Sequence, residues 1–215
     1  DYCKKNKFIW KKILEWGKEN GRRFPWRETN DIYNILISEI MLHRTKADQV
    51  LNIYNDFLRK YKDFESIVES GPEAIKKDMK SLGLSWRSEL LYSMSKEILE
   101  KYDGKIPCDK DQLMKLPGIG NYISSAILCF GYNIPVPILD TNIVRVIGRV
   151  YNLRINDYSR KSKKYREIML DLILHGEPRK FSLYLIDFAS IICKPKCMDE
   201  CKKCPLNKLC AHYLD

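Results

Sequence analysis

Near the end of this 215-residue chain, Cys193 is followed after seven residues by Cys201, after two more by Cys204 and after five more by Cys210. Four thiolates so grouped bind zinc or an iron–sulfur cluster, and spacing alone does not separate the two. Five of the eight cysteines, Cys197 among them, stand within the last 23 residues. A secreted scaffold spreads its cysteines along the chain, so the clustering points to a metal site in a reducing compartment. Cys3, Cys108 and Cys129 stand apart and read as small apolar residues.

A second group is LPGIGNYISSA, residues 116–126. Pro117 ends a helix, Gly118 and Gly120 can take backbone angles that a side chain would obstruct, and another helix starts at Asn121. Such a turn offers bare amides and the positive end of a helix dipole to a phosphate, although an ordinary corner between two helices fits it equally well. In PVPILDTNIVRV, residues 135–146, Asp140 stands where a helix from Thr141 begins. Its carboxylate can simply cap that helix; the position also suits stabilising a cationic transition state or activating water. Glu39, in ILISEIMLHRT at residues 35–45, is flanked by apolar residues. Burial would raise its pKa and make it a general acid, unless it is paired structurally with an arginine, for which Arg44 is the candidate.

Helices have to position these groups. Apolar residues recur at helical spacing, as in Val50, Ile53, Tyr54 and Phe57 or Leu90, Leu91, Met94 and Ile98. Further helices are expected near 7–19, 31–45, 73–81, 109–115, 121–131, 141–151, 162–174 and 180–192, divided by turn signals such as SGP, YDGKIP and HGEP. The fold class is therefore all-α. No apolar run is long enough for a membrane span, and the basic N-terminal stretch reads as a first helix rather than a targeting peptide. Lys and Arg exceed Asp and Glu by 38 to 28, a net charge of +10 that suits an anionic partner such as nucleic acid without identifying one.

Taken together, LPGIG, the aspartate twenty residues after Gly120 and the terminal cysteines resemble the helix-hairpin-helix DNA glycosylases with a [4Fe-4S] cluster, the endonuclease III superfamily, over nearly the whole chain. FPWRETNDIYNILISEIMLHRT, residues 24–45, and LDTNIVRV are similar to the MutY-type adenine glycosylases and to the archaeal thymine-DNA mismatch glycosylases. The resemblance implies two helical domains, a barrel over 30–135 carrying the hairpin and a second domain from 1–29 and 136–215 carrying the cluster loop. It implies Cys193, Cys201, Cys204 and Cys210 as cluster ligands, because DFASIIC matches the family at the first ligand. The family has six residues between the first two ligands where this chain has seven, and Cys197 is then the spare cysteine.

The same resemblance implies a cytoplasmic, nucleoid-associated archaeal enzyme, a monomer that acts on double-stranded DNA containing a mismatch. Asp140 would stabilise the sugar cation and direct water, Glu39 would serve the departing base, and Tyr122 and Asn142 would shape the pocket. Gly118, Gly120 and Asn121 would hold the DNA backbone, with Lys202, Lys203 and Lys208 on other phosphates. The bifunctional relatives carry a catalytic lysine where this chain has Tyr122, and a phenol forms no Schiff base, so a monofunctional glycosylase is expected. His43 and Arg44 replace the two glutamines typical of MutY and are closer to the thymine enzymes. MutY enzymes usually carry a further C-terminal domain that reads oxidised guanine, and the sequence after Cys210, five residues, leads to the expectation that this chain does not. Thymine or uracil opposite guanine is the expected substrate, with adenine opposite guanine or 8-oxoguanine the alternative and a non-catalytic DNA-binding module the remote one.

Overall fold

Residues with strong helical periodicity fold as helices throughout, and no strand occurs among the described residues, which are 2–83, 85–196 and 199–214 of a computed structural model. In chain order the helices are α1 (Tyr2–Asn20), α2 (Pro25–Glu28), α3 (Ile32–Leu42), α4 (Ala47–Lys60), α5 (Phe64–Asp78), α6 (Trp86–Tyr102), α7 (Lys110–Lys115), α8 (Asn121–Ala126), α9 (Thr141–Tyr151), α10 (Lys163–Ile173), α11 (Pro178–Ile191), α12 (Asp199–Lys202) and α13 (Ala211–Leu214). None of them is long and apolar enough to cross a membrane. The chain divides into two compact units, an inserted one, Arg23–Tyr132, and a terminal one, Asp1–Arg22 with Asn133–Asp215.

In the inserted unit α3 is the central element. Asp31 starts it by accepting hydrogen bonds from the Tyr33 and Asn34 amides, and Ile35, Leu36, Ile37 and Met41 are all buried. Full burial of each such side chain contributes about 1.5–3 kcal/mol of transfer free energy. The Tyr54 hydroxyl of α4 donates to the Asn34 carbonyl at 3.0 Å, and that of Tyr33 donates to the Tyr61 carbonyl at 2.7 Å. The helix expected over 31–45 ends early, at Leu42, because His43 is extended and Arg44 takes a left-handed conformation with φ 59°.

The helix expected over 73–81 is part of a longer element. In α5 the SGP signal makes a break inside the helix: Gly71 has φ 74°, and Pro72 opens the second half, where its missing N–H costs little. α5 and α6 then pack as a pair. Asp109 caps α7 through the Gln112 amide at 2.9 Å, and α8 continues into a π-helical turn over Ile127–Gly131 that packs on α3.

In the terminal unit, α1 lies against α10 and α11 although more than 140 residues separate them in sequence. Close approach requires a bare backbone at Gly17, where a Cβ would come within 2.1 Å of the Tyr184 ring. Buried polar groups fix the register. Asn6 is fully buried, donates to Asp171 and accepts from the Tyr151 hydroxyl. Buried Asp187 accepts from both the amide and Nε of Arg22, at 2.8 and 2.6 Å. Removing Arg22 would leave the buried Asp187 carboxylate uncompensated, which disfavours any other docking of α1.

Candidate functional site

The terminal unit holds the aspartate and the cysteines, and α9 joins them. Asp140 is the N-cap of α9: its Oδ1 accepts from the Ile143 amide at 2.7 Å and its Oδ2 from the Asn142 side chain at 3.1 Å. Capping satisfies an amide that would otherwise lack a partner, and the residue remains partly exposed. Asn142 accepts in turn from Arg145 Nη2 at 3.0 Å, and Arg145 donates to the carbonyls of Cys193 and Ala189 at 2.7 and 2.8 Å. One turn further, Arg149 donates to the carbonyls of Lys194 and Pro195 at 2.7 and 2.8 Å and lies 3.5 Å from Cys193 Sγ.

Cys193, Cys201, Cys204 and Cys210 line a single pocket together with apolar groups such as Val146, Phe188 and Leu206. The Leu206 amide donates to Cys204 Sγ at 3.4 Å, the kind of contact that favours a thiolate. No three His, Cys, Asp or Glu side chains converge as a single-ion site among the described residues. Four cysteine sulfurs around one small, apolar-walled space are a donor set that fits an iron–sulfur cluster. Cys197 lies outside the described residues. Lys202, Lys203 and Lys208 on the same loop are exposed.

The inserted unit holds the acid and the hairpin. Glu39 is buried on α3, and that burial pushes its carboxyl from the ordinary 4.5 up to about 7 against a smaller opposing pull from Arg27. The cation acting on it is thus Arg27, on the short helix before α3, and not Arg44, which the helix end turns outward to the surface. Such a group exchanges a proton near neutrality, as general acid catalysis requires.

In the hairpin, Gly118 has φ 77°, and a Cβ there would also come 3.1 Å from Leu90. Both conformation and space therefore demand glycine at 118. Gly120 corrects the expectation of an obstructed position: its φ is −90° and an added Cβ would meet nothing. What glycine leaves there is open space in front of the first turn of α8, where Asn121 is exposed and Tyr122 half-buried. His43, Trp86, Arg87, Pro117 and Gly118 line one small pocket, which brings the end of α3 beside the hairpin. The His43 ring meets Trp86 edge-on at 5.8 Å. Partial shielding, then the charges of Arg87 and Arg44, hold its imidazole below the ordinary value.

Arg87, Arg145 and Arg149 are absent from the sequence-based site. For Arg87 a signal existed: it precedes Leu91, Met94 and Ile98 at helical spacing, in the buried row of α6. An arginine in an apolar row is a buried cation needing acceptors.

Residues 37–171 match the family described as HhH-GPD superfamily base excision DNA repair protein. The chain is 38% identical to the thymine/uracil-DNA glycosylase of Methanothermobacter thermautotrophicus, over 98% of this chain and 95% of that protein. It is 34% identical to the adenine DNA glycosylase of Buchnera aphidicola subsp. Baizongia pistaciae, over 94% of this chain and 58% of that protein. Among solved structures, a thermostable thymine-DNA glycosylase superposes with a TM-score of 0.91 at 38% identity, covering 98% of this chain and 97% of the other.

Raising the Glu39 carboxyl to about 7 has a cost that can be measured. The folded state holds this proton more tightly than the unfolded state, so the wild type loses stability as pH rises from 4.5 towards 7. Glu39→Gln should match the wild type below that window and exceed it above, by a difference on the order of 3 kcal/mol at about 1.4 kcal/mol per pH unit. Urea unfolding across the pH range measures it; a pH-independent difference would mean that the group does not titrate in this window.

Proposed function

Because the chain belongs to the HhH-GPD superfamily of base excision DNA repair proteins, we propose that it is a monofunctional DNA glycosylase that hydrolyses the N-glycosidic bond of thymine or uracil opposite guanine. The observation that carries the choice of base is the match to a thymine/uracil-DNA glycosylase at 38% identity over nearly the full length of both proteins. The exposed pair His43 and Arg44 supports it, two hydrogen-bonding side chains suited to the edge of an opposite base. Adenine release is the second reading, favoured by 34% identity to an adenine DNA glycosylase over 94% of this chain.

A stacked base exposes no line of attack on its glycosidic bond, so the nucleotide has to rotate out of the duplex before reaction. The amides around Gly118 and Gly120 and the start of α8 hold a phosphate near it, with Asn121 beside them; Lys202, Lys203 and Lys208 meet other phosphates. Tyr122 lies against the extruded nucleotide and offers no amine, so the product is an intact strand with an abasic site. As the C1′–N bond breaks, positive charge grows on the sugar, and the Asp140 carboxylate stabilises it. Water then bonds to C1′, its proton passing to Asp140, while Glu39 donates a proton or a hydrogen bond to the departing base. Asn142, bonded to Asp140 Oδ2 at 3.1 Å, orients the carboxylate.

Cys193, Cys201, Cys204 and Cys210 hold a [4Fe-4S] cluster in this reading, supported by their shared pocket. Bound there, the cluster would position the basic loop that carries Lys202, Lys203 and Lys208 against DNA, and no role in bond cleavage is assigned to it. The two compact units correspond to the barrel and cluster domains of the family, and the protein works as a monomer on mismatched double-stranded DNA in the prokaryotic cytoplasm.

Single-turnover release on G·T, G·U, A·G and A·8-oxoguanine duplexes tests the substrate. Thymine and uracil should leave faster than adenine, and the reverse order makes this an adenine glycosylase. Iron content tests the ligand set: serine at Cys201, Cys204 or Cys210 should strip iron, whereas Cys197→Ser should keep it. A Cys197→Ser protein that loses iron while Cys193→Ser retains it would put the ligand register elsewhere.

A further inference from the structure

Arg87 opens the core-facing row of α6, with Leu91, Met94 and Ile98, and is 1% exposed. Its guanidinium meets no carboxylate among the described residues. Nη1 donates to the Met41 carbonyl at 2.9 Å, and Nη2 donates to the His43 carbonyl and, at 2.7 Å, to Thr45 Oγ1. Met41 lies in the last turn of α3, where carbonyls have no partner within the helix and the dipole favours a cation. Three oxygens and a helix terminus thus take the place of an acid.

The fork closes around Arg44. That residue has φ 59°, a left-handed conformation that side-chain-bearing residues rarely adopt. Two of the three acceptors belong to His43 and Thr45, its neighbours on either side. Trp86, adjacent to Arg87 and stacked under its guanidinium, packs against the His43 ring. Neither His43 nor Arg44 is buried, and within the turn itself the backbone is closed by the Thr45 amide donating to the Leu42 carbonyl at 3.1 Å, to which the Arg87 fork adds its three acceptors.

We propose that Arg87 is a positioning residue for recognition of the opposite base: its guanidinium fixes residues 43–45 in the turn that presents His43 and Arg44, and so sets the preference for guanine. The proposal rests on the part given above to His43 and Arg44. A lysine retains the charge at the helix end but lacks the planar fork that binds three acceptors at once.

Single-turnover uracil release from G·U and A·U duplexes tests it in wild type, Arg87→Lys, Arg87→Met and Thr45→Val, with folding checked by thermal melting. The ratio of the G·U to the A·U rate should fall about tenfold in both Arg87 variants, the discrimination carried by one well-placed base contact, and less in Thr45→Val. General damage to the fold slows both duplexes alike and leaves the ratio unchanged. That result in a folded Arg87 variant, or in Thr45→Val where the Arg87 variants do not fold, overturns the proposal. A wild type that does not prefer G·U overturns the reading of His43 and Arg44 themselves, and the proposal with it.

Discussion

The hydrogen bond from the Ile143 amide to Asp140 fixes where α9 begins, and much of the terminal unit follows from that start. An N-cap is worth about 1 kcal/mol to a helix, but here it also orients a carboxylate whose second oxygen is held by Asn142. Because α9 is rigid and begins at a fixed residue, Arg145 and Arg149 come out on the side that faces Ala189–Pro195. The charged group proposed for the chemistry and the loop that carries the cysteines are thereby held by one helix. A shift in either end of α9 would be felt at the other.

The inserted unit applies the same device at the opposite pole of a helix. The C-terminal carbonyls of α3 are met by a buried arginine, and the apolar surroundings of that helix are what raise the Glu39 carboxyl. Both effects draw on one physical fact, that a polar group removed from water must find a partner or change its charge. Arg87 finds three oxygens, whereas the burial of Glu39 outweighs the pull of Arg27 and the carboxyl holds its proton more tightly.

What the sequence made legible were features set locally. Asp140 before Thr141 and the Pro117–Gly118 break both depend on residues a few positions away, and both occur where local rules put them. The gathering of four cysteines in one pocket was legible from their clustering. The end of α3 was not, because it is decided by an arginine more than forty residues later in the chain. Arg44 looked like a partner for Glu39 while the helix was expected to run to 45; once the helix stops at Leu42, Arg44 points elsewhere. Arg145 and Arg149 were likewise hidden, since their acceptors are backbone carbonyls 44 to 48 residues away and carbonyls leave no mark in a sequence.

The most direct measurement compares thymine release from a G·T duplex, under single-turnover conditions, by wild type and Asp140→Asn, together with the affinity of each for that duplex. An asparagine can still accept the Ile143 amide and cap α9, so the fold and DNA binding should survive, while the charge proposed to stabilise the sugar cation is gone. The rate should drop by about a hundredfold or more, the scale on which removing one preorganised electrostatic contact acts, with affinity nearly unchanged. An asparagine variant that releases thymine at close to the wild-type rate would contradict the assignment of Asp140.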